Sequence, residues 1–373
     1  MHKVAWRVAA LAVTGALALT AGACGSSNNN SSGSSGSSSG KSSSGSGSPG
    51  KVAVLLPDTK SSVRWETYDR PLLTQAFKAA GVDATVENAE GDKSAQQQQA
   101  EQAITNGAKV LLLTNLDSGS GAAIEANAAS HGVKVIDYDR LTLKGTADYY
   151  VSFDNVKVGK LQGQGLVNCL GNTNGQSIAE LNGSPTDNNA TLFAQGYNSV
   201  LNPLYKSGKL KKAADQSVPD WDNQQALTIF EQMLQKTNNK IQGVLAANDG
   251  LGNSAISALK ARKLPQIPVT GQDATLQGVQ SIVTGDQCMT VYKATKKEAD
   301  AAAKLAIALA KGQTPPAPTA SVDNGSKKVP SVLLTPVAIT KSNIKQYVGQ
   351  IDFPKKEQIC AGKVAAMCGK VGL

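Results

Sequence analysis

From Lys51 onward, short apolar runs alternate with segments whose apolar residues recur every three or four positions. Residues 52–56 are apolar throughout and end at Pro57, the pattern of a parallel strand buried on both faces. Leu72, Leu73, Ala76, Phe77 and Ala80 then share one helical face, and Gly81 suits the C-terminal end of that helix. The spacing predicts strands over 83–88, 109–114 and 133–139, separated by helices over 94–106 and 121–130. Further strands are predicted over 149–153, 177–181, 213–218, 242–247 and 268–270, with helices over 155–169, 223–236 and 251–264 in the gaps. After 288–292 come a helix over 299–311, Pro-rich turns at 313–318 and an extended run over 332–339. This rhythm predicts an α/β fold of two doubly wound parallel-sheet lobes joined by a multi-segment hinge. The first lobe is expected at 51–154, completed by about 290–325. The second is expected at 155–289, completed by about 326–358, with the extended run returning to it and 359–373 forming a tail.

The first 23 residues do not fit this rhythm. Lys3 and Arg7 precede an apolar run over 8–20 that is too short to span a bilayer, which marks a targeting segment. LTAGAC resembles a lipobox, in which Cys24 becomes the lipidated first residue and ties the chain to membrane lipid. The Ser/Gly/Asn stretch over 24–50 buries too little apolar surface to order itself and reads as a flexible tether. Within it, the GxSxG look-alike at 36–40 and the Gly40-Lys41-Ser42 fragment of a phosphate loop follow no strand and open no helix, so neither is a site.

The formal charge of +9 falls to +7 when Lys3 and Arg7 leave with the signal. The remaining lysines are scattered, with few aromatics among them, which reads as a solvated surface and not as a nucleic-acid patch. Beyond Cys24 there are four cysteines, as expected of an exported chain. Cys360 with Cys368 and Cys169 with Cys288 are one of three connectivities the sequence allows. Zinc spacing is absent, and His131 is the only histidine of the mature chain, so no metal or cofactor is expected.

In doubly wound sheets, ligands bind beyond the carboxyl ends of the strands. The strand ends of this chain carry Arg64-Trp65, Asp139-Arg140, Asp187-Asn188-Asn189, Trp221, Asn248-Asp249, Gln272-Asp273 and Lys293. A monosaccharide needs such a set, because each hydroxyl both donates and accepts while the C–H faces of the ring pack on flat aromatics. Each element has a plainer reading. Asp139-Arg140 can be an exposed turn pair, Asp187 a helix cap that leaves the asparagines free, Asn248-Asp249 a strand-to-helix turn, and Lys293 a solvated lysine. Their common position at strand ends favours a site, and the two mature tryptophans, one in each half, favour stacking. Enzyme chemistry has little support. His131 lies at a helix C-terminus before Gly132, no GxGxxG follows a strand, and the carboxylates come with many donors that keep them ionised.

RWETYDRP, VKVIDYDRL, YYVSFDNVKVG, NGSPTDNNATLF, AANDG, TGQDA, MTVYK and VPSVLLTPVAITKSNIK occur in one order between about 52 and 350. Through them the chain resembles the type I periplasmic sugar-binding proteins, most closely the D-xylose-binding proteins of ABC transport. The resemblance implies sugar contacts by Arg64, Asp139, Arg140, Asn189, Trp221, Asn248, Asp273 and Lys293, with Trp65 as a second stacking wall. Ser217 stands where the family often has another aromatic before Trp221, which leaves the back wall of the pocket open. The tail from about Lys355 and all four cysteines fall outside the resemblance. It implies a monomer that closes its lobes on a pyranose and delivers it to the permease subunits of an ABC importer. Glucose, ribose, arabinose or inositol as ligand, a sensory subunit and a cell-surface glycosidase are the alternatives. The signal and the missing helix-turn-helix exclude a repressor.

Overall fold

The computed structural model of the protein describes residues 50–373; the targeting segment, Cys24 and nearly all of the tether lie outside the described residues. The first lobe is built from β1 (Lys51–Leu56), α1 (Arg70–Ala79), β2 (Ala84–Asn88), α2 (Lys93–Thr105), β3 (Ala108–Leu113), α3 (Ser118–Ser130), β4 (Lys134–Tyr138) and β5 (Tyr149–Phe153). The second follows with α4 (Asn155–Leu170), β6 (Gln176–Asn182), α5 (Asn188–Lys206), β7 (Leu210–Ser217), α6 (Asn223–Lys236), β8 (Gly243–Ala246), α7 (Asp249–Ala261), α8 (Leu276–Thr284) and β9 (Thr290–Tyr292). The chain returns with α9 (Thr295–Ala310), β10 (Ala320–Asp323), β11 (Lys328–Leu334) and β12 (Val337–Ile339).

The helices begin where short polar side chains satisfy their free amides. Asp92, Asp117, Asp154, Asp187, Asp222, Asn248 and Thr275 each cap the helix that follows. His131 closes α3, as its place before Gly132 predicts. The strands are covered on both faces, which explains their unbroken apolar runs: Val52, Val54 and Leu56 pack with α1 and α9, while Ala53 and Leu55 face the layer of α2 and α3.

The first sheet has the order β10-β11-β5-β4-β3-β1-β2, with only β10 antiparallel. Its order reverses between β1 and β3. The second sheet runs β7-β6-β8, all parallel, and reverses beside β6. β9 and β12 form a separate antiparallel pair in the second lobe. The carboxyl ends at both reversal points face one cleft, the location that chemistry uses in open α/β sheets.

Three segments connect the lobes: the turn after β5, the stretch between β9 and α9, and residues 335–336 between β11 and β12. The last corrects the sequence expectation. The run over 332–339 does not return to the second lobe as one piece, and the first lobe does not end near 325. Residues 331–334 pair in parallel with β5, covering what would otherwise be an open sheet edge, and only β12 crosses. The strand expected over 268–270 is reduced to a single bridge, Val244 with Val269. Pro265 and Pro268 beside it have no amide to add to a ladder.

Helices α4 and α5 meet at bare glycines. A Cβ on Gly159 would overlap the backbone carbonyl of Phe193, and one on Gly196 would overlap the carbonyl of Val156. Backbone cannot yield as a side-chain end can, so Gly159→Ala is expected to lower stability by about 1–3 kcal/mol, measured by denaturant unfolding.

Cys169 at the end of α4 is bonded to Cys288 just before β9, with Cα atoms 6.3 Å apart. Cys360 and Cys368 are bonded within the tail. Ile359 and Cys368 of the tail, with Phe353 just before it, pack against Val279, Val283, Tyr292 and Ile339 of the second lobe.

Candidate functional site

The loop after β1 carries Ser61, Ser62 and Arg64 and runs into a π-helical turn over Trp65–Asp69 that leads directly into α1. Such turns often accompany functional positions. The loop after β4 carries Asp139 and Arg140. From the second lobe come Asp187 and Asn189 at the start of α5, Trp221 after β7, Asn248 after β8, and Gln272 and Asp273 after the Val269 bridge. Lys293 lies in the hinge after β9. Together with Phe193 these residues line one cavity between the lobes. All nine side chains singled out from the sequence as sugar contacts are therefore brought together, eight of them buried at 6% exposure or less and Asp273 half-buried.

Several are held in conformations that L-residues avoid. Asp139 has φ 62°, Trp221 φ 56° and Asp273 φ 93°. Left-handed backbone at a non-glycine residue costs of the order of 1–3 kcal/mol and is retained where the surroundings fix it, characteristically at ligand sites.

Asp139 is the centre of charge. Its Oδ2 accepts from Arg64 Nη1 at 2.9 Å and from Lys293 Nζ at 3.3 Å, and its Oδ1 accepts from Asn189 Nδ2 at 3.0 Å. Burial alone would raise its pKa, but Lys293, Arg64 and Arg140 outweigh burial and hold it at about 2. Burial works against the Lys293 ammonium, yet Asp139 and Asp273 keep its pKa above the ordinary value. Asp139 and Lys293 therefore keep their charges near neutral pH, which suits recognition and not proton transfer.

The plainer readings of individual residues are displaced by contacts across the cleft. Asp187 does cap α5, accepting from the amide of Asn189, but its other oxygen pairs with Arg140 Nε at 3.2 Å and accepts from Trp221 Nε1 at 3.1 Å. The Asn189 side chain is not free: it also donates to the carbonyl of Asp139 and accepts from Asn155. Asn248 caps α7 and donates to the carbonyl of Ser61 at 3.2 Å, while Ser62 donates to Asp273 at 3.2 Å. Asp249 points away, buried in the second lobe among Gln287, Thr275 and Thr290.

Trp65 lines the cavity from the π-helical turn, where it is stacked on guanidinium groups. The carbon at the centre of the Arg64 fork lies 4.6 Å from the ring centre and that of Arg140 5.7 Å. The back wall left open by Ser217 is supplied elsewhere. Ser217 is exposed at the end of β7, and Phe193 of α5 meets Trp221 edge to face at 6.3 Å. Phe193, Ser61 and Ser62 are not among the residues the sequence points to, and Gln272 is named there only as the strand-end neighbour of Asp273. For Phe193 the available signal was its place one helical turn after Asn189, on the same face of α5.

Residues 52–314 match the family described as the periplasmic binding protein domain. The D-xylose-binding periplasmic protein of Escherichia coli K12 is 38% identical over 310 residues, covering 83% of this chain and 92% of the relative. The multiple sugar-binding periplasmic receptor ChvE of Rhizobium radiobacter is 36% identical over 330 residues, covering 83% and 92%. A solute-binding protein of Clostridium phytofermentans, solved with β-D-glucose, superposes with a TM-score of 0.77 at 29% identity, covering 83% of this chain and 99% of that one.

Proposed function

The chain belongs to the periplasmic binding protein family, a family of carriers and not of enzymes, and from that premise we propose that it binds D-xylose between its lobes and delivers it to an ABC importer. The observation that carries the reading is the convergence of Asp139, Arg64, Lys293, Asn189, Asn248 and Asp273 with Trp65, Trp221 and Phe193 on one cleft. Hydroxyls find alternating donors and acceptors there, and the C–H faces of a ring find indole and phenyl surfaces.

The cross-cleft bonds describe how closure works. Polar groups of the two lobes satisfy one another directly, so a sugar enters as the lobes part and substitutes its own hydroxyls for those bonds. Because it then bonds both lobes, it favours the closed arrangement by its differential affinity. Arg140 illustrates the geometry required: its fork donates to Ser61 Oγ and the Asn115 carbonyl while pairing with Asp187. Lysine cannot span these partners, so Arg140→Lys is expected to weaken D-xylose binding roughly tenfold by calorimetry.

The multiple-sugar-binding relative favours a second reading, in which the cleft accepts glucose, arabinose or related aldoses and serves a sensory receptor. Deleting the gene separates the roles: loss of labelled xylose uptake supports import, whereas intact uptake with a lost transcriptional response sinks it. In this reading the protein works as a monomer, anchored outside the cytoplasm through lipidated Cys24. Cys24→Ser is then expected to move it from the membrane fraction to the soluble fraction.

A further inference from the structure

Behind the cavity, Arg64 is gripped by two carboxyls that no sugar reaches. Asp69 takes Nε at 2.9 Å and Nη2 at 2.8 Å in a two-point pair, and Glu298 of α9 takes Nη2 again at 2.5 Å. Asp139 takes Nη1 at 2.9 Å. Four of the five N–H groups of the guanidinium are thereby committed, and one on Nη1 remains. Tyr138 braces Asp69 from β4 with an O–H donated to Oδ1 at 2.5 Å. Asp69 and Glu298 are both fully buried.

We infer that Glu298 is a positioning residue of the sugar site: with Asp69 it fixes the plane of the Arg64 fork so that a single N–H is presented to a ligand hydroxyl beside Asp139. The inference rests on the sugar-binding reading and deepens it.

Charge and geometry together say how Glu298 does this. Asp69, Asp139 and Glu298 crowd around Arg64 and Lys293, with Asp273 on the far side of Lys293 and Arg140 on the far side of Asp139. Facing Glu298 are Arg64 and Asp69 from the π-helical turn and the loop before it, Tyr138 and Asp139 from β4 and its end, Tyr150 from β5 and Lys293 from the hinge. On its own helix, Lys296 and Asp300 pair with each other in solvent. Oε1 of Glu298 is buried with no hydrogen-bond partner among the described residues, an arrangement far costlier for a full carboxylate than for a neutral acid. Burial, with Asp139 and Asp69 adding to it, lifts its pKa to about 8 against the pull of Arg64 and Lys293. Neutral Glu298 still accepts from Arg64. Ionised Glu298 adds a third buried negative charge and pulls the fork back from the cleft.

The test measures D-xylose affinity by calorimetry from pH 6.5 to 9.5 for the full mature chain, Glu298→Ala and Glu298→Gln. Glu298→Ala is expected to weaken binding about tenfold, the loss of a hydrogen bond to a charged group. Glu298→Gln, which keeps an oxygen toward Arg64, is expected to recover most of that loss. Between pH 7 and 9.5 the wild-type affinity is expected to fall by about threefold or more while that of Glu298→Gln stays level. Parallel pH profiles, or no recovery in Glu298→Gln, overturn the inference. Ligand-free thermal stability separates this from the sugar reading. A group whose pKa is raised on folding contributes stability that is complete below its unfolded value and is lost as pH rises through 8. If wild type binds no D-xylose, the sugar reading falls; a stability decline above pH 7 that Glu298→Gln removes still supports the Arg64 clamp, and identical declines overturn it.

Discussion

Asp139→Ala is expected to weaken D-xylose binding by about 2–5 kcal/mol, from roughly 30-fold to several thousandfold. Asp139 is the acceptor shared by Arg64, Lys293 and Asn189, and all four side chains are buried. Its removal leaves Arg64 and Lys293 facing each other without the anion between them, with Asp69, Glu298 and Asp273 only on their far sides, so the cost includes their mutual repulsion as well as any lost bond to the sugar. Asp139→Asn is expected to fare little better, because one of its two oxygens becomes a donor aimed at donors. Protonation offers the same test without mutation. Since the Asp139 pKa is depressed to about 2, its contribution is complete above the unfolded value near 4 and is lost only as pH falls through 2. Affinity should therefore not decline between pH 7 and 5 on account of this residue.

The second large effect is on stability. Replacing Cys169 and Cys288 by Ser is expected to destabilise the protein by about 3–5 kcal/mol and lower Tm by roughly 10 °C. The bond closes a loop with a sequence separation of 119 residues, and a long loop loses much freedom in the unfolded chain when it is tied. It joins the end of α4 to the residue before Met289 and β9, so it also holds the hinge strand against the helix that begins at another crossing. The tail bond between Cys360 and Cys368 spans only 8 positions, and its removal should cost considerably less. Calorimetric unfolding of the two Ser pairs separates the effects; equal losses would argue against the loop-length account.

How far the sequence carries can be judged from particular residues. The alternation of apolar strands and helical stripes was enough to place β1, β3, β4 and β8 and to identify their carboxyl ends, because buried parallel strands leave a one-dimensional signature. Polar side chains at those ends could then be gathered into one cleft, as Asp139 and Asn248 were. What a single strand pairs with leaves no such mark. The apolar content of β11 fits either sheet and suggests the second lobe, whereas its register with β5 places it in the first. Glu298 was also invisible: it lies in a charged stretch, TKKEAD, that reads as a solvated helical start, and its burial depends on Arg64, 234 positions away. Trp65 was placed at the site, but its stack on Arg64 and Arg140 follows from the π-helical turn, which no local pattern announces.

The central claim is that this cleft recognises a monosaccharide, and calorimetric titration of residues 51–373 with a panel of sugars tests it most directly. Trp65 and Trp221, the two tryptophans among the described residues, both line the cleft and report in parallel by fluorescence. One-to-one binding of D-xylose with a tryptophan response, abolished in Asp139→Ala, is the expected result. Absence of binding to D-xylose, glucose, arabinose, ribose and inositol alike would contradict it.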